Sequence, residues 1–174
     1  MKRLILISFF FFCYSAFAQN LSTEEKELYT LLMKYRKEKG LPSIPVSPSL
    51  TYVAQTHADD LQSFYTGSGK CNLHSWSSHG KWTSCCYTDD HKNAPCMWDK
   101  PRELTSYKGD GYEIAYWNSQ GIIPEKALQG WKKSKGHHAM IVNQGMWSDS
   151  RWRAIGIGIK GNFAVVWFGE EADK

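Results

Sequence analysis

The chain has 174 residues and a formal net charge of +4, which falls to +2 when Lys2 and Arg3 are left out. From residue 19 onward it is long enough to bury a substantial core, and this length predicts one domain rather than two. The basic residues are scattered rather than arranged in a stripe, which disfavours nucleic-acid binding.

The first 18 residues have the pattern of a cleavable export signal. Two basic residues precede an apolar run at 4–13, and small residues at Ala16 and Ala18 suit cleavage after Ala18. The run is shorter than the roughly 20 apolar residues that span a bilayer, and no comparable run follows. We therefore expect a mature protein of residues 19–174 that is secreted or periplasmic and has no transmembrane segment. Cys13 lacks the small-residue context of a lipid attachment site and is assigned to the discarded segment.

Two amphipathic helices are predicted at the start of the mature chain. Ser22 and Glu25 have the spacing of a capping box, and the first helix is expected to end near Gly40. Ser47 and Pro48 begin a second helix, whose apolar face also carries a histidine. We expect this second helix to pack against the core.

The second half of the chain mixes helix and strand. A short helix is predicted over 101–107, a strand over 112–117 and a helix that begins with proline over 124–133. Two strands at 153–160 and 162–168 are separated by a tight turn and form a hairpin. This order of elements predicts an α+β fold in which an antiparallel sheet is covered by helices.

Four cysteines follow the export signal, namely Cys71, Cys85, Cys86 and Cys96. An even number of cysteines in an exported chain predicts two disulfides. A bond between the neighbours Cys85 and Cys86 would close a strained ring, which leaves 71–85 with 86–96 or 71–86 with 85–96. Either pairing would fasten the irregular stretch 66–95, here called the disulfide loop. A metal cluster or a nucleophilic thiol is the alternative, and the export signal disfavours it.

The familiar signatures of catalysis are missing from the sequence. It has no His-Glu-x-x-His motif, no Gly-x-Ser-x-Gly elbow and no complete Walker A loop. What remains is a set of histidines and one acid in separate segments, whose spatial relation cannot be read from spacing. They are His57, His74, His79, His91, Glu113, His137 and His138.

Two of these residues have structural explanations as well as functional ones. His57 lies on the apolar face of the second helix, and this position predicts a hydrogen-bonded core histidine that we leave out of the site. Glu113 stands in an otherwise apolar strand, where an inward carboxylate needs partners. Exposure of Glu113 on the solvent side of the strand is the alternative.

Six short segments, spread over nearly the whole mature chain, follow a known order. They are Tyr-Arg-x-x-x-Gly-Leu-Pro at 35–42, Ala-Gln-Thr-His-Ala at 54–58, Leu-His-Ser at 73–75, Gly-Tyr-Glu-Ile-Ala at 111–115, Trp-Lys-Lys-Ser-Lys-Gly-His at 131–137 and Ala-Ile-Gly-Ile-Gly at 154–158. In this order the chain resembles bacterial members of the CAP family (cysteine-rich secretory proteins, antigen 5 and pathogenesis-related protein 1; also called the SCP domain). The resemblance implies an α-β-α sandwich.

The resemblance also implies a site. In the family, two histidines and two acidic residues line a central cleft and can hold a divalent ion, and the matching positions here are His74, Glu113 and His137. Ser134 stands where many eukaryotic members carry the second acid. Two imidazoles, one carboxylate and water would suit Zn²⁺, and a hydroxyl in place of the second carboxylate would weaken the site.

Two other histidines are alternatives within this assignment. His79 takes the role of His74 if the disulfide loop is rearranged. His138 follows His137 directly, and the family pattern selects His137, which leaves His138 for packing or the rim.

The resemblance implies an extracellular binding protein more than an enzyme. Its candidate ligands are sterols, fatty acids and other apolar molecules, and its candidate partners are extracellular proteins or polymers. A metal-assisted hydrolase acting on an extracellular polymer is the alternative, with Glu113 as ligand or base. A third possibility is an interaction protein that acts through the disulfide loop alone. The sequence leaves the oligomeric state open.

Overall fold

The computed structural model describes residues 20–173, and the predicted export signal and its cleavage site fall outside them. The helices are α1 (Thr23–Glu38), α2 (Pro48–Phe64), α3 (Pro95–Trp98), α4 (Lys100–Leu104), α5 (Pro124–Lys133) and α6 (Lys135–Ile141), and the strands are β1 (Tyr112–Trp117), β2 (Ala154–Lys160) and β3 (Phe163–Gly169). The strands form an antiparallel sheet in the order β1-β3-β2. None of the helices in the described part of the chain is long and apolar enough to span a membrane.

The predicted ends of α1 are confirmed by its capping interactions. The Ser22 hydroxyl accepts the Glu25 N–H at 3.2 Å, while the Glu25 carboxylate accepts the Ser22 N–H at 2.7 Å. At the other end Gly40 adopts a φ of +75°, and the Leu41 N–H then reaches the carbonyl of Arg36 at 3.0 Å. Glycine is suited to this left-handed position because it has no Cβ.

The central strand β3 separates two layers of core. Alternate side chains such as Val166 and Phe168 pack with α1, α5 and α6, whereas Val165 and Trp167 pack with α2 and the disulfide loop. Successive side chains of a strand point to opposite faces, and so both faces of this strand are covered. Every residue of β3 is buried as a result. The predicted α+β fold, an α-β-α sandwich, is confirmed.

Helix α2 lies directly on the backbone of β2. A Cβ on Gly158 would stand 2.2 Å from the carbonyl oxygen of Ala54, and one on Gly156 would stand 2.0 Å from the carbonyl carbon of Leu50. Only glycine permits an approach this close. The two glycines of β2 therefore set how near α2, with its histidine at position 57, comes to the sheet.

The disulfides pair Cys71 with Cys86 and Cys85 with Cys96. This is one of the two pairings that the sequence left open, and it excludes a metal cluster or a free thiol at these four cysteines. An antiparallel bridge aligns the loop beside them, because the Trp76 N–H donates to the Cys85 carbonyl at 2.8 Å and the Cys85 N–H donates to the Trp76 carbonyl at 3.0 Å. The loop is thus held at several points rather than at its ends alone.

Two helical regions differ from the predictions. The helix predicted over 101–107 is instead α4, which ends at Leu104 and is preceded by α3. Helix α6 was not predicted at all. It has only seven residues, too few for helical periodicity to stand out, and an extended backbone at Ser134 separates it from α5.

Replacement Gly158→Ala is expected to lower the free energy of unfolding by about 1–3 kcal/mol, because the new methyl overlaps the backbone of α2. Urea unfolding of the two proteins measures the difference. Gly136→Ala is the matched control, since its Cβ would have nothing within 4 Å. Equal stability of Gly158→Ala and the native protein would contradict this account of the packing.

Candidate functional site

Glu113 is a buried carboxylate in the middle of the fold. It lies in β1 opposite Trp167 of β3, and its side chain is 0% exposed. A carboxylate removed from water is costly unless it is paired and hydrogen-bonded. The alternative of a solvent-facing Glu113 is therefore wrong, and the partners of this side chain define the candidate site.

His74 reaches Glu113 from the disulfide loop. Its Nδ1 lies 2.7 Å from Glu113 Oε1, and its side chain is 17% exposed. Hydrogen bonds within the loop position His74. The backbone N–H of His74 donates to Asn72 Oδ1 at 3.1 Å, and the backbone N–H of Asn72 donates to the carbonyl of Tyr87 at 2.8 Å. Asn72 follows Cys71 directly, so the disulfide to Cys86 restrains the segment that positions this imidazole.

His57 reaches the other oxygen of Glu113 from α2. Its Nδ1 contacts Glu113 Oε2, its Nε2 lies 3.0 Å from the carbonyl oxygen of Ser75, and its side chain is 0% exposed. The indole of Trp76 stacks on the imidazole at 4.3 Å between ring centroids, with 5° between the planes. His57 is thus the buried, hydrogen-bonded histidine that its place on the apolar face predicts.

The charges within this group follow from its contacts. Burial alone would raise the pKa of Glu113, but His57 and His74 outweigh it and lower that pKa to about 2. Burial lowers the pKa of His57, whereas the charge and hydrogen bond of Glu113 raise it, and the net direction is upward. A carbonyl only accepts hydrogen bonds, so Nε2 of His57 donates to Ser75 while Nδ1 donates to the carboxylate. His57 is therefore an imidazolium paired with an ionised Glu113.

His137 approaches the same group from α6. Its ring lies edge-on to that of His74, with 6.3 Å between the centroids, and it is half-buried. Burial and the neighbouring His74 lower the pKa of His137 to about 4, which leaves it neutral near pH 7. We call the four residues His57, His74, Glu113 and His137 the histidine cluster. Ser134 lies at the junction before α6 and makes no side-chain capping bond there.

The remaining histidines contact other aromatic side chains. His79 is exposed and stacks on Phe64 at 4.2 Å, so His74 rather than His79 pairs with Glu113. His91 accepts or donates a hydrogen bond with the Tyr87 hydroxyl at 2.9 Å. His138 does the same with the Tyr35 hydroxyl at 2.9 Å, which is a packing role.

Sequence reasoning left His57 out of the site, yet the structure places it against the site's carboxylate. One signal could have linked them. An acid within an apolar strand needs a buried partner, and a histidine on the apolar face of a helix is a residue able to supply a positive charge there. His57 also falls within one of the six family-like segments, at 54–58.

Most atoms of the histidine cluster that could bind a metal ion or another ligand already make hydrogen bonds within the protein. Each oxygen of Glu113 already accepts from an imidazole, and His57 has both ring nitrogens occupied. Among the contacts within residues 20–173, His74 Nε2 and the ring of His137 are left for a ligand. Within residues 20–173, no three His, Cys, Asp or Glu side chains are grouped so as to hold a metal ion. The zinc site stays a prediction.

Comparison with known proteins gives a family match. A model of the CAP family, described as the cysteine-rich secretory protein family, matches residues 29–149. No curated protein matches the sequence.

Three solved structures have a similar fold. An outer surface protein from Borrelia burgdorferi has a TM-score of 0.58 at 19% identity, over 88% of this chain and 98% of that one. A cysteine-rich secretory protein from Staphylococcus aureus has a TM-score of 0.55 at 16% identity, over 85% and 38%. An extracellular protein containing an SCP domain, from Bacillus anthracis, has a TM-score of 0.59 at 17% identity, over 85% and 40%. This chain thus spans about two fifths of the last two proteins, and identities this low show a shared fold alone.

Replacement Glu113→Gln is expected to destabilise the protein by about 3 kcal/mol in the pH range in which the ion pair between Glu113 and His57 is fully formed. The pKa of Glu113 is lower than its usual 4.5, so its contribution is present above pH 4.5 and is lost as the pH falls toward 2. The pKa of His57 is higher than its usual 6.5, so its contribution is complete below pH 6.5 and is lost as the pH rises through the raised value.

The difference in unfolding free energy between the native protein and Glu113→Gln should therefore be largest between about pH 4.5 and 6.5. It should become smaller as the pH falls below or rises above this range. Urea unfolding at a series of pH values measures it. Glu38→Gln, at an exposed position of α1, controls for the loss of one negative charge. A Glu113→Gln difference that stays constant from pH 3 to pH 9 would contradict the ion pair.

Proposed function

Because the chain belongs to the CAP family, the cysteine-rich secretory protein family, we propose that it is an exported binding protein rather than an enzyme. The observation that supports this proposal is the burial and hydrogen bonding of the Glu113 carboxylate. Both oxygens of this carboxylate accept hydrogen bonds from imidazoles, and the side chain is buried. It acts as a charge that holds the histidine cluster together.

A general base works best with a pKa near the operating pH. The pKa of Glu113 is about 2, and each of its oxygens already accepts a hydrogen bond, one from His57 and one from His74. Such a carboxylate neither takes a proton from water near pH 7 nor remains free to do so. These contacts disfavour the alternative function, a metal-assisted hydrolase with Glu113 as base.

The same contacts suit binding. Glu113 accepts from Nδ1 of His74, which orients the ring and leaves Nε2 for a ligand. His137 stands beside it as a neutral imidazole. The neutral ring of His137 can accept a hydrogen bond from a hydroxyl or amide group, and these groups are common on extracellular proteins and polymers. Sterols and fatty acids would meet two polar rings at this position, and we rank them below the polar partners.

Zn²⁺ fits this donor set poorly. Catalytic zinc sites use three protein ligands and a water, whereas His74 and His137 supply two. Glu113 would have to release a histidine to become the third, and the structure gives Ser134 no contact that would replace it. We therefore propose weak binding of divalent cations by two imidazoles and derive no reaction step through a metal.

Titration of the purified, oxidised protein with ZnCl₂ tests this proposal by calorimetry. Saturation is expected only at a large excess of Zn²⁺, because two imidazoles hold the ion less firmly than three ligands. His137→Ala should abolish the signal since it removes one of the two ligands. His91→Ala removes an exposed imidazole outside the histidine cluster and should leave the signal unchanged.

Cleavage of fluorescein-labelled casein or of a labelled cell-wall polymer is measured in parallel, with and without Zn²⁺. The binding proposal expects no turnover under either condition. Stoichiometric zinc binding together with zinc-dependent cleavage that is lost in Glu113→Gln would overturn it in favour of a hydrolase.

A further inference from the structure

A groove of about 350 Å³ lies between the C-terminal half of α2 and the disulfide loop. The residues that line it include three aromatic residues, Thr66, five serines and Asp60. His74, Glu113 and His137 do not line it, so the groove is a separate site from the histidine cluster. Its volume is at the lower end of the roughly 300–1,000 Å³ of small-molecule sites.

An aromatic surface is exposed along the groove. Phe64, the last residue of α2, lines it and is 47% exposed. The imidazole of His79 stacks on one face of this phenyl ring, with 4.2 Å between the centroids, so a ligand would contact the other face of the ring. The electron-rich face of an aromatic ring attracts the weakly positive C–H groups of a flat apolar partner. One face of a pyranose ring presents such C–H groups.

Two residues that line the same groove have hydrogen-bonding capacity left over. The Nε1–H of Trp76, a lining residue that is 2% exposed, is buried without a partner. A buried donor with no acceptor destabilises the folded protein. A ligand oxygen that accepts a hydrogen bond from this N–H would remove that penalty and so favour binding. Asp60 is 4% exposed and accepts from the backbone N–H and the hydroxyl of Ser77, which leaves lone pairs on the carboxylate.

The charge of the groove narrows the class of ligand. Among the described residues that line it there is no lysine or arginine, and Asp60 supplies its formal negative charge. A phosphate headgroup, a nucleic acid or an acidic peptide would therefore meet no cation. Serine and threonine hydroxyls both donate and accept hydrogen bonds, and they match an uncharged ligand that carries hydroxyls of its own.

We propose that this groove binds a neutral saccharide, with one sugar face on Phe64 and sugar hydroxyls bonded to Asp60 and to the indole N–H of Trp76. The site does not depend on zinc or on a partner at His137. It gives the chain a way to attach to an extracellular polysaccharide beside whatever the histidine cluster binds.

NMR titration of the ¹⁵N-labelled protein with cellotriose and with chitotriose tests the proposal. The indole N–H resonance of Trp76, identified by its loss in Trp76→Phe, should move downfield and saturate with at least one of the two sugars, because that N–H gains an acceptor. Phe64→Ala should weaken binding about three- to tenfold, as the loss of one aromatic contact predicts. Phe64→Tyr keeps the ring and should bind like the native protein.

Two matched variants separate the proposals. Tyr52→Ala removes an aromatic residue that is 43% exposed on the same helix but does not line the groove, and it should bind saccharide normally. His137→Ala should also bind normally, so a failure at the histidine cluster and a failure at the groove are distinguishable.

Two results would overturn the saccharide site. One is the absence of a Trp76 shift with both neutral trisaccharides, including the case in which only a sulfated oligosaccharide produces a shift. The other is an unchanged affinity in Phe64→Ala, since stacking on that ring is central to the site.

Discussion

The histidine cluster depends on the ion pair between Glu113 and His57, both of which are fully buried. A buried charge that loses its partner destabilises a protein by about 3–5 kcal/mol, so this ion pair strongly stabilises the contact between β1 and α2. His74 takes the second oxygen of the carboxylate and joins the disulfide loop to the same centre. One side chain thereby connects the strand, the helix and the loop.

The rest of the fold brings these three segments within reach. Glycines 156 and 158 of β2 let α2 lie directly on the sheet, and this approach carries His57 toward β1. The disulfide loop contains little regular structure between α2 and α3, and its two cross-links and the Trp76–Cys85 bridge supply the rigidity instead. Without that rigidity His74 would lose much conformational entropy when it bonds to Glu113.

His57 and His137 differ in protonation because their neighbours differ. His57 meets a carboxylate and a carbonyl and is cationic, whereas His137 meets burial and another imidazole and is neutral. The imidazolium of His57 is therefore fully buried, whereas His137 presents a neutral, partly exposed ring. The saccharide groove and the histidine cluster share two neighbouring residues, since Ser75 and Trp76 line the groove and also contact His57.

Local signals in the sequence determined much of the secondary structure and the family. The capping box at Ser22, the proline at the start of α2 and the apolar run of β3 act over a few residues, so the pattern alone predicts them. The order of six short segments led to the CAP family and to His74, Glu113 and His137. Tertiary structure alone decided which of the adjacent cysteines 85 and 86 bonds to Cys71, because both have nearly the same spacing. It also decided that His57 neutralises Glu113, since that contact joins residues 56 positions apart and depends on how closely a helix packs on a sheet.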